Sequence, residues 1–255
     1  MNLSLSSVGI ESYKSGCQIA RIVTERWASL NLYCASCDSE RIQQEPPNTK
    51  ATDFRCCRCN HAYQLKAMRR WNERKVVDAG YDSMVTAIRS ETRPSLFLLH
   101  YAHTWQVTNL VLIPHFFLTE SVIEKRPPLS KLARRAGWVG CNILLSEIPK
   151  DGKLRLVHDG FEAEASDVRT KFRRVLPFAE LEANLRGWTV DVLKIVRKLD
   201  KKDFTLSDVY AYESELSNRH PGNRNIRPKI RQQLQVLRDV GILEFTKRGL
   251  YALRF

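Results

Sequence analysis

Two pairs of cysteines, Cys34-x-x-Cys37 and Cys56-x-x-Cys59, are separated by 18 residues in a chain of 255. Each C-x-x-C knuckle supplies two thiolates at the roughly 2.3 Å reach of tetrahedral zinc, so the quartet reads as a structural Zn²⁺ site. The stretch between them, DSERIQQEPPNTKATDFR, is too polar to fold around a core of its own, and a bound metal would compensate for that. Thioredoxin-like redox chemistry would need only one C-x-x-C, in a βαβ setting. The seven cysteines are odd in number, which argues against a disulfide framework. Cys57 could replace a neighbouring ligand only with poorer spacing. Cys17 and Cys141 read as buried apolar residues, and His61 as a bystander in preference to an alternative ligand.

Charge narrows the function classes. The chain has 41 Lys+Arg against 28 Asp+Glu, a formal charge of +13, with 43% hydrophobic residues. That apolar fraction excludes a disordered chain, and the basic excess favours a polyanion, nucleic acid first. From Arg219 to the C-terminus nine Lys/Arg face only Asp239 and Glu244. A second basic cluster is Lys66-Ala-Met-Arg-Arg-Trp-Asn-Glu-Arg-Lys75. No apolar run approaches the roughly 18 residues of a membrane span, and no secretory signal opens the chain, so a cytoplasmic protein is expected. No G-x-x-x-x-G-K-[ST] motif suggests ATP binding.

Periodicity predicts a mixed α/β (α+β) domain over roughly residues 1–180. A helix is expected from Ile10 to Leu30, on the spacing of Ile10, Tyr13, Cys17, Ala20, Val23 and Trp27. Then come a strand at Ala62–Lys66, a helix at Val76–Ser90, strands at Ser95–Tyr101 and Thr104–Pro114, and a short helix near Leu118–Lys125. Strands at Asn142–Ile148 and Leu154–His158 are expected to be joined by the turn Pro-Lys-Asp-Gly.

The character changes after Gly187. Helices are expected from Thr189 to Leu199, from Thr205 or Ser207 to Leu216, and from Arg227 to Val240. Pro228 is tolerated in a first helical turn, and Ile230, Leu234, Leu237 and Val240 form one apolar stripe. Gly241 ends that helix, and a hairpin follows around Lys247-Arg248-Gly249. Three helices and a hairpin read as a winged helix. Its third helix would present Arg227, Arg231, Gln232, Gln235 and Arg238 to the major groove, where Gln suits adenine and Arg guanine. Lys247 and Arg248 in the wing would reach phosphates. The competing reading is a protein–protein module with a charged face.

Chemistry is sought where a carboxylate meets a lysine. Asp53 precedes Gln64-Leu65-Lys66 by eleven residues. Asp-x(n)-(Glu/Asp)-x-Lys is a metal-dependent nuclease pattern in which the acids hold Mg²⁺ and the lysine serves the attacking water. Residues 64 and 66 would share one strand face, leaving only the backbone carbonyl of Leu65 to touch the metal. Gln64 departs from the pattern by offering an amide oxygen without charge, so a higher Mg²⁺ requirement, or Mn²⁺ as a substitute, is expected. Glu11 is a further candidate carboxylate, though a solvated helix glutamate is the simpler reading.

The chain resembles the DpnI family of methyl-directed restriction endonucleases. The resemblance is carried by Tyr33-Cys-Ala-Ser-Cys37, Asp53-Phe-Arg-Cys56 through Leu65-Lys66, Ala133-Arg-Arg-Ala-Gly-Trp-Val-Gly-Cys-Asn142, Arg186-Gly-Trp-Thr189 and Lys229-Ile-Arg-Gln-Gln-Leu-Gln-Val-Leu-Arg-Asp239. It implies a PD-(D/E)XK nuclease domain with a zinc-binding insertion over 1–183 and a winged helix over 184–255. It also implies Mg²⁺-dependent cleavage of double-stranded DNA at Gm6ATC, with unmethylated sites spared. On this resemblance Asp53, Gln64 and Lys66 form the catalytic set, Asp53, Gln64 and Leu65 the Mg²⁺ ligands, and Cys34, Cys37, Cys56 and Cys59 the zinc ligands. An N6-methyl group demands an apolar surface, which Trp138 would supply between Gly137 and Gly140, with Arg134 and Arg135 beside it. Without the resemblance, Trp138 reads equally well as a core aromatic. The alternatives are a non-cutting methyladenine reader disarmed by Gln64 and a zinc-ribbon regulator. A monomer from a bacterial cytoplasm is expected.

Overall fold

The computed structural model describes residues 1–9, 11–47, 49 and 51–255. In chain order the elements are α1 (Gly16–Asn31), β1 (Gln43–Gln44), β2 (Phe54–Arg55), β3 (Ala62–Met68), β4 (Lys75–Gly80), α2 (Tyr81–Arg89), β5 (Ser95–Tyr101) and β6 (Val107–Ile113). There follow β7 (Ile123–Lys125), β8 (Gly140–Leu144), β9 (Leu154–His158), β10 (Phe161–Glu162), α3 (Ala165–Val175) and α4 (Ala183–Lys198). The chain ends with β11 (Asp203–Thr205), α5 (Leu206–Tyr210), α6 (Glu213–Arg219), α7 (Ile226–Asp239), β12 (Leu243–Lys247) and β13 (Leu250–Leu253). The fold is mixed α/β. No described helix is long and apolar enough to cross a membrane.

The chain divides into two compact units, each assembled from three segments. The first comprises Met1–Glu73, Thr92–His115 and Gly152–Arg173. Its sheet has seven strands in the order β1-β2-β3-β5-β6-β9-β10. Only β3 and β5 run parallel, with Gln64 opposite Leu96 and Lys66 opposite Leu98. Leu96 to Leu99 of β5 and Leu110 to Ile113 of β6 are all buried, which is why these strands read as continuous apolar runs and not as alternating ones. Helix α1 packs on β3 and buries Val23, Thr24, Trp27 and Ala28. Helix α3 buries Val168 and Phe172, four residues apart.

The second unit comprises Arg74–Glu91, Phe116–Asp151 and Arg174–Phe255. It holds a three-stranded antiparallel sheet, β4-β8-β7, with α2 packed on it. The remainder is a winged helix, in which α4, α5, α6 and α7 are followed by the β12–β13 wing and β11 pairs with β13. Ile230, Leu234 and Leu237 are fully buried along α7. Gly241, at φ +82°, supplies the left-handed turn that ends the helix. Asp208 and Thr205 form a capping box at α5, the Thr205 hydroxyl accepting from the Asp208 N–H. Asp191 is buried and held by Ser121 Oγ at 3.0 Å and His220 Nε2 at 2.8 Å.

Several expectations are corrected. The first helix starts at Gly16, because Ser15 is extended and residues 11–12 form a turn; Tyr13 is exposed, and Ile10 lies outside the described residues. Val76–Ser90 is not one helix. Its β-branched start pairs with β8 as β4, and only Tyr81–Arg89 is helical. The helix expected near Leu118–Lys125 is a single 3₁₀ turn, Glu120–Val122, leading into β7. The strand expected at Asn142–Ile148 starts at Gly140 and stops at Leu144. It belongs to the small sheet, so it is not the hairpin partner of Leu154–His158. Thr189 does not cap a helix, since α4 begins six residues earlier at Ala183 and Thr189 Oγ1 lies 2.7 Å from the Leu185 carbonyl oxygen within it. The helix expected through Leu216 is broken into α5 and α6 at Ala211–Tyr212. Cys17 is exposed, whereas Cys141 is buried as expected.

Candidate active site and nucleic-acid interface

The four sulfurs of Cys34, Cys37, Cys56 and Cys59 lie within 4.8 Å of one another. Cys34–Cys59 and Cys37–Cys56 are 3.5 Å apart, too far for a disulfide and close to the roughly 3.8 Å edge of a tetrahedron with 2.3 Å metal–sulfur bonds. The donor set therefore fits zinc. Burial pushes the thiols of Cys34 and Cys37 up. Burial pushes Cys56 the same way, but backbone N–H groups of the knuckle, at Cys59 and Arg58, outweigh it and hold its thiol at about 6. Arg169 of α3 pins the first knuckle, donating to the carbonyl oxygens of Cys34 at 3.2 Å and Ser39 at 3.0 Å. His61 Nε2 is 2.8 Å from Ser95 Oγ, and burial, with His115 nearby, depresses its pKa to about 4. It stays outside the sulfur cluster, and Cys57 is exposed.

The second knuckle is the turn of the β2–β3 hairpin. Phe54 pairs with Tyr63 and Arg55 with Ala62, and the cysteines lie between the strands. Asp53 precedes β2 by one residue, and its N–H donates to the Tyr63 carbonyl oxygen at 2.9 Å. Its Oδ2 accepts from the Leu65 N–H at 2.8 Å. Asp53 thus stands beside the strand that carries Gln64 and Lys66, and residues 64 and 66 share one face of β3. Asp53, the Gln64 amide oxygen and the Leu65 carbonyl are all hard oxygen donors, the chemistry a Mg²⁺ ion requires.

Two details of this site lie beyond sequence reading. The buried Arg93 donates from Nη2 to Gln64 Oε1 at 3.4 Å, placing a cation beside the neutral residue that interrupts the motif. Arg93 reaches Gln64 through the parallel β3–β5 pairing, for which the chain carries no local signal. Asp53 also lines a cavity of about 210 Å³ with Glu25 and Glu45. Both of those acids are engaged: Glu25 accepts from Arg21 at 2.7 Å and from Gln44 at 3.1 Å, and Glu45 pairs with Arg55. Glu11 is exposed, and its carboxylate accepts from the Gly9 N–H at 3.3 Å.

In the second unit Trp138 lies on a glycine floor. Gly80 and Gly140 face each other across β4 and β8. A Cβ on Gly140 would come 2.9 Å from the indole Cζ3 and Cη2, whereas one on Gly80 would meet Nε1 at an ordinary 3.5 Å. The Arg135 guanidinium covers the ring at 4.7 Å from its centroid. Trp138 is half-buried and not a core aromatic, and Arg134 and Arg135 are exposed.

All five predicted side chains of α7 are exposed, namely Arg227, Arg231, Gln232, Gln235 and Arg238. Arg227 donates to Glu213 at 2.8 Å and Arg238 to Asp239 at 2.7 Å, while Arg231 donates only to the neutral Tyr210 Oη at 2.9 Å. Arg231, like Lys229, is therefore a cation of this helix with no carboxylate partner among the described residues. Lys247 and Arg248 are exposed where the wing turns. The neighbouring Gln233 is buried, its Oε1 2.7 Å from Thr189 Oγ1, and serves the core.

A model of the Dam-replacing family, DpnI, matches residues 1–180, and a model of the Dam-replacing HTH domain matches residues 184–253.

Metal analysis is expected to find one zinc per chain in the intact protein and none after Cys59→Ala, with a lower unfolding midpoint in the variant. Full zinc content in Cys59→Ala would remove this residue from the ligand set. In protein labelled with 5-fluorotryptophan, Gly140→Ala should move the ¹⁹F resonance of Trp138 among the five tryptophans, while Gly80→Ala leaves it in place.

Proposed function

The chain belongs to the DpnI family, a family of restriction endonucleases, and on that premise we propose that it cleaves double-stranded DNA at Gm6ATC sites and spares unmethylated ones. The observation that carries this reading is Asp53 held against β3 beside Gln64 and Lys66, on a hairpin whose turn carries two cysteines of the cluster. Residues 1–183 act as the nuclease part and 184–255 as a winged-helix reader.

Asp53, the Gln64 amide oxygen and the Leu65 carbonyl would hold Mg²⁺. The bound ion would neutralise the attacked phosphate and lower the pKa of a coordinated water. Lys66, on the same strand face as Gln64, would orient the attacking water with its ammonium group. Trp138 offers the methyl group an apolar surface, and Arg134 and Arg135 take phosphate or guanine beside it. Arg231, Gln232 and Gln235 of α7, with Arg227 and Arg238 flanking them, read base edges, and Lys247 and Arg248 hold the backbone. Four cysteine thiolates hold zinc as a structural ion.

A second reading has an observation of its own. Gln64 brings no charge and Arg93 stands next to it, so the centre has one motif carboxylate and an adjacent cation. On this reading the protein binds methylated DNA and cuts it weakly or not at all.

One plasmid, prepared with and without adenine methylation and incubated with Mg²⁺ or Mn²⁺, separates the two. Cutting confined to the methylated plasmid supports the nuclease, with Asp53→Ala and Lys66→Ala abolishing cutting while binding is kept. A methyl-selective gel shift with no cutting in either metal would establish the reader alone. For a working centre, Gln64→Glu should lower the Mg²⁺ concentration needed for half-maximal cutting, and an unchanged requirement would place residue 64 outside the metal site.

A further inference from the structure

The segment from Leu129 to Trp138 is a closed loop. The Leu129 N–H donates to the Trp138 carbonyl oxygen at 2.9 Å, and the Gly137 N–H donates to the Leu129 carbonyl oxygen at 3.1 Å. Inside the loop the Ala133 N–H donates to the Ser130 carbonyl oxygen at 3.0 Å, and the Trp138 N–H to that of Arg135 at 3.1 Å. Gly137 takes the left-handed conformation that lets the chain return, with φ +76°. Near the middle of this loop Leu132 is 98% exposed, more than any other large apolar side chain described. Lys131, Arg134 and Arg135 surround it in sequence, and all three are exposed.

A lone exposed leucine is ordinary on a protein surface. This one differs in its setting. It projects from a loop closed by backbone hydrogen bonds from Leu129 to Trp138 and from Gly137 to Leu129, so its backbone is tied to that of Trp138 before any ligand arrives. The flanking cations would draw a phosphate backbone to the place where the leucine stands. In the major groove an A·T pair displays one apolar group of its own, the C5-methyl of thymine, and a methylated adenine adds the N6-methyl beside it.

We propose that Leu132 packs on the C5-methyl group of the thymine paired with the methylated adenine, so that the loop reads both methyl groups of one base pair. The proposal rests on the reading of Trp138 as the methyladenine contact. Together the two apolar contacts would favour a methylated A·T pair over any base pair lacking either methyl.

The test is a double substitution, one on each partner. The full-length, zinc-loaded protein is titrated at one salt concentration, without added Mg²⁺, into labelled Gm6ATC duplexes that carry either thymine or uracil opposite the methyladenines, and into the unmethylated GATC duplex. Uracil removes only the C5-methyl. Burying one such group is worth about fourfold in affinity. The wild type is expected to lose about that factor on uracil. Leu132→Ala should lose about the same on thymine and nothing further on uracil. The exposed side chain leaves folding untouched, so the variant should keep the wild-type unfolding midpoint. Losses that simply multiply overturn the proposal, as does a wild type indifferent to uracil. A wild type that binds the unmethylated duplex as tightly as the methylated one overturns the Trp138 reading instead, and the same titration reports it.

Discussion

Tyr63 ties the cysteine cluster to the strand that carries the candidate chemistry. Its side chain is buried and its hydroxyl accepts from the Ala35 N–H at 3.2 Å, leaving its own hydrogen free for Cys34 Sγ at 3.1 Å. The ring stacks on Phe97 of the neighbouring strand at 5.1 Å. Its backbone carbonyl holds the Asp53 N–H, and the next residue along β3 is Gln64. One residue thus joins both cysteine knuckles, the central sheet and the carboxylate. A hairpin of such short pairing, with two residues in β2, has little stability alone. A metal closing its turn would fix the register on which the placing of Asp53 beside Lys66 depends.

The second unit solves a different problem with different means. A half-exposed indole must keep one orientation without a core around it. Glycines on facing strands let it lie close against the backbone, and a guanidinium lies over the ring. The winged helix needs no such device, because Ile230, Leu234 and Leu237 anchor α7 and leave its polar face outward.

How much of this was legible in the chain depended on range. The clustering of the four cysteines was legible, since metal chemistry fixes ligand type and spacing locally. Strand β5 matched its expected limits because a buried apolar run leaves no competing period, and β9 did because exposed Arg155 between buried Leu154 and Leu156 gives it the alternation of a strand. Helix α7 was legible from its stripe and its glycine stop. Strand β4 was not, because a six-residue strand abutting a nine-residue helix mimics one longer periodic segment. Helix α3 went unread although Val168, Phe172 and Val175 carry a helical spacing, since charged residues dominate its composition. Asp53 and Lys66 were legible as a pattern, but Arg93 was not, because it meets Gln64 through a strand pairing that no local sequence encodes.

The interleaving of the two units bears on how the protein is made. Strands β3 and β5 pair in parallel, yet residues 74–91 between them belong to the other unit. The first unit lacks its last segment until residue 173 has been synthesised, and the second until residue 255 has been. A nascent chain leaving the ribosome therefore holds an unclosed sheet, with the apolar strands β5 and β6 among its earlier parts, for most of its synthesis. Such a protein closes late and in two steps, and until the first step its apolar strands are open to pairing with a neighbouring chain.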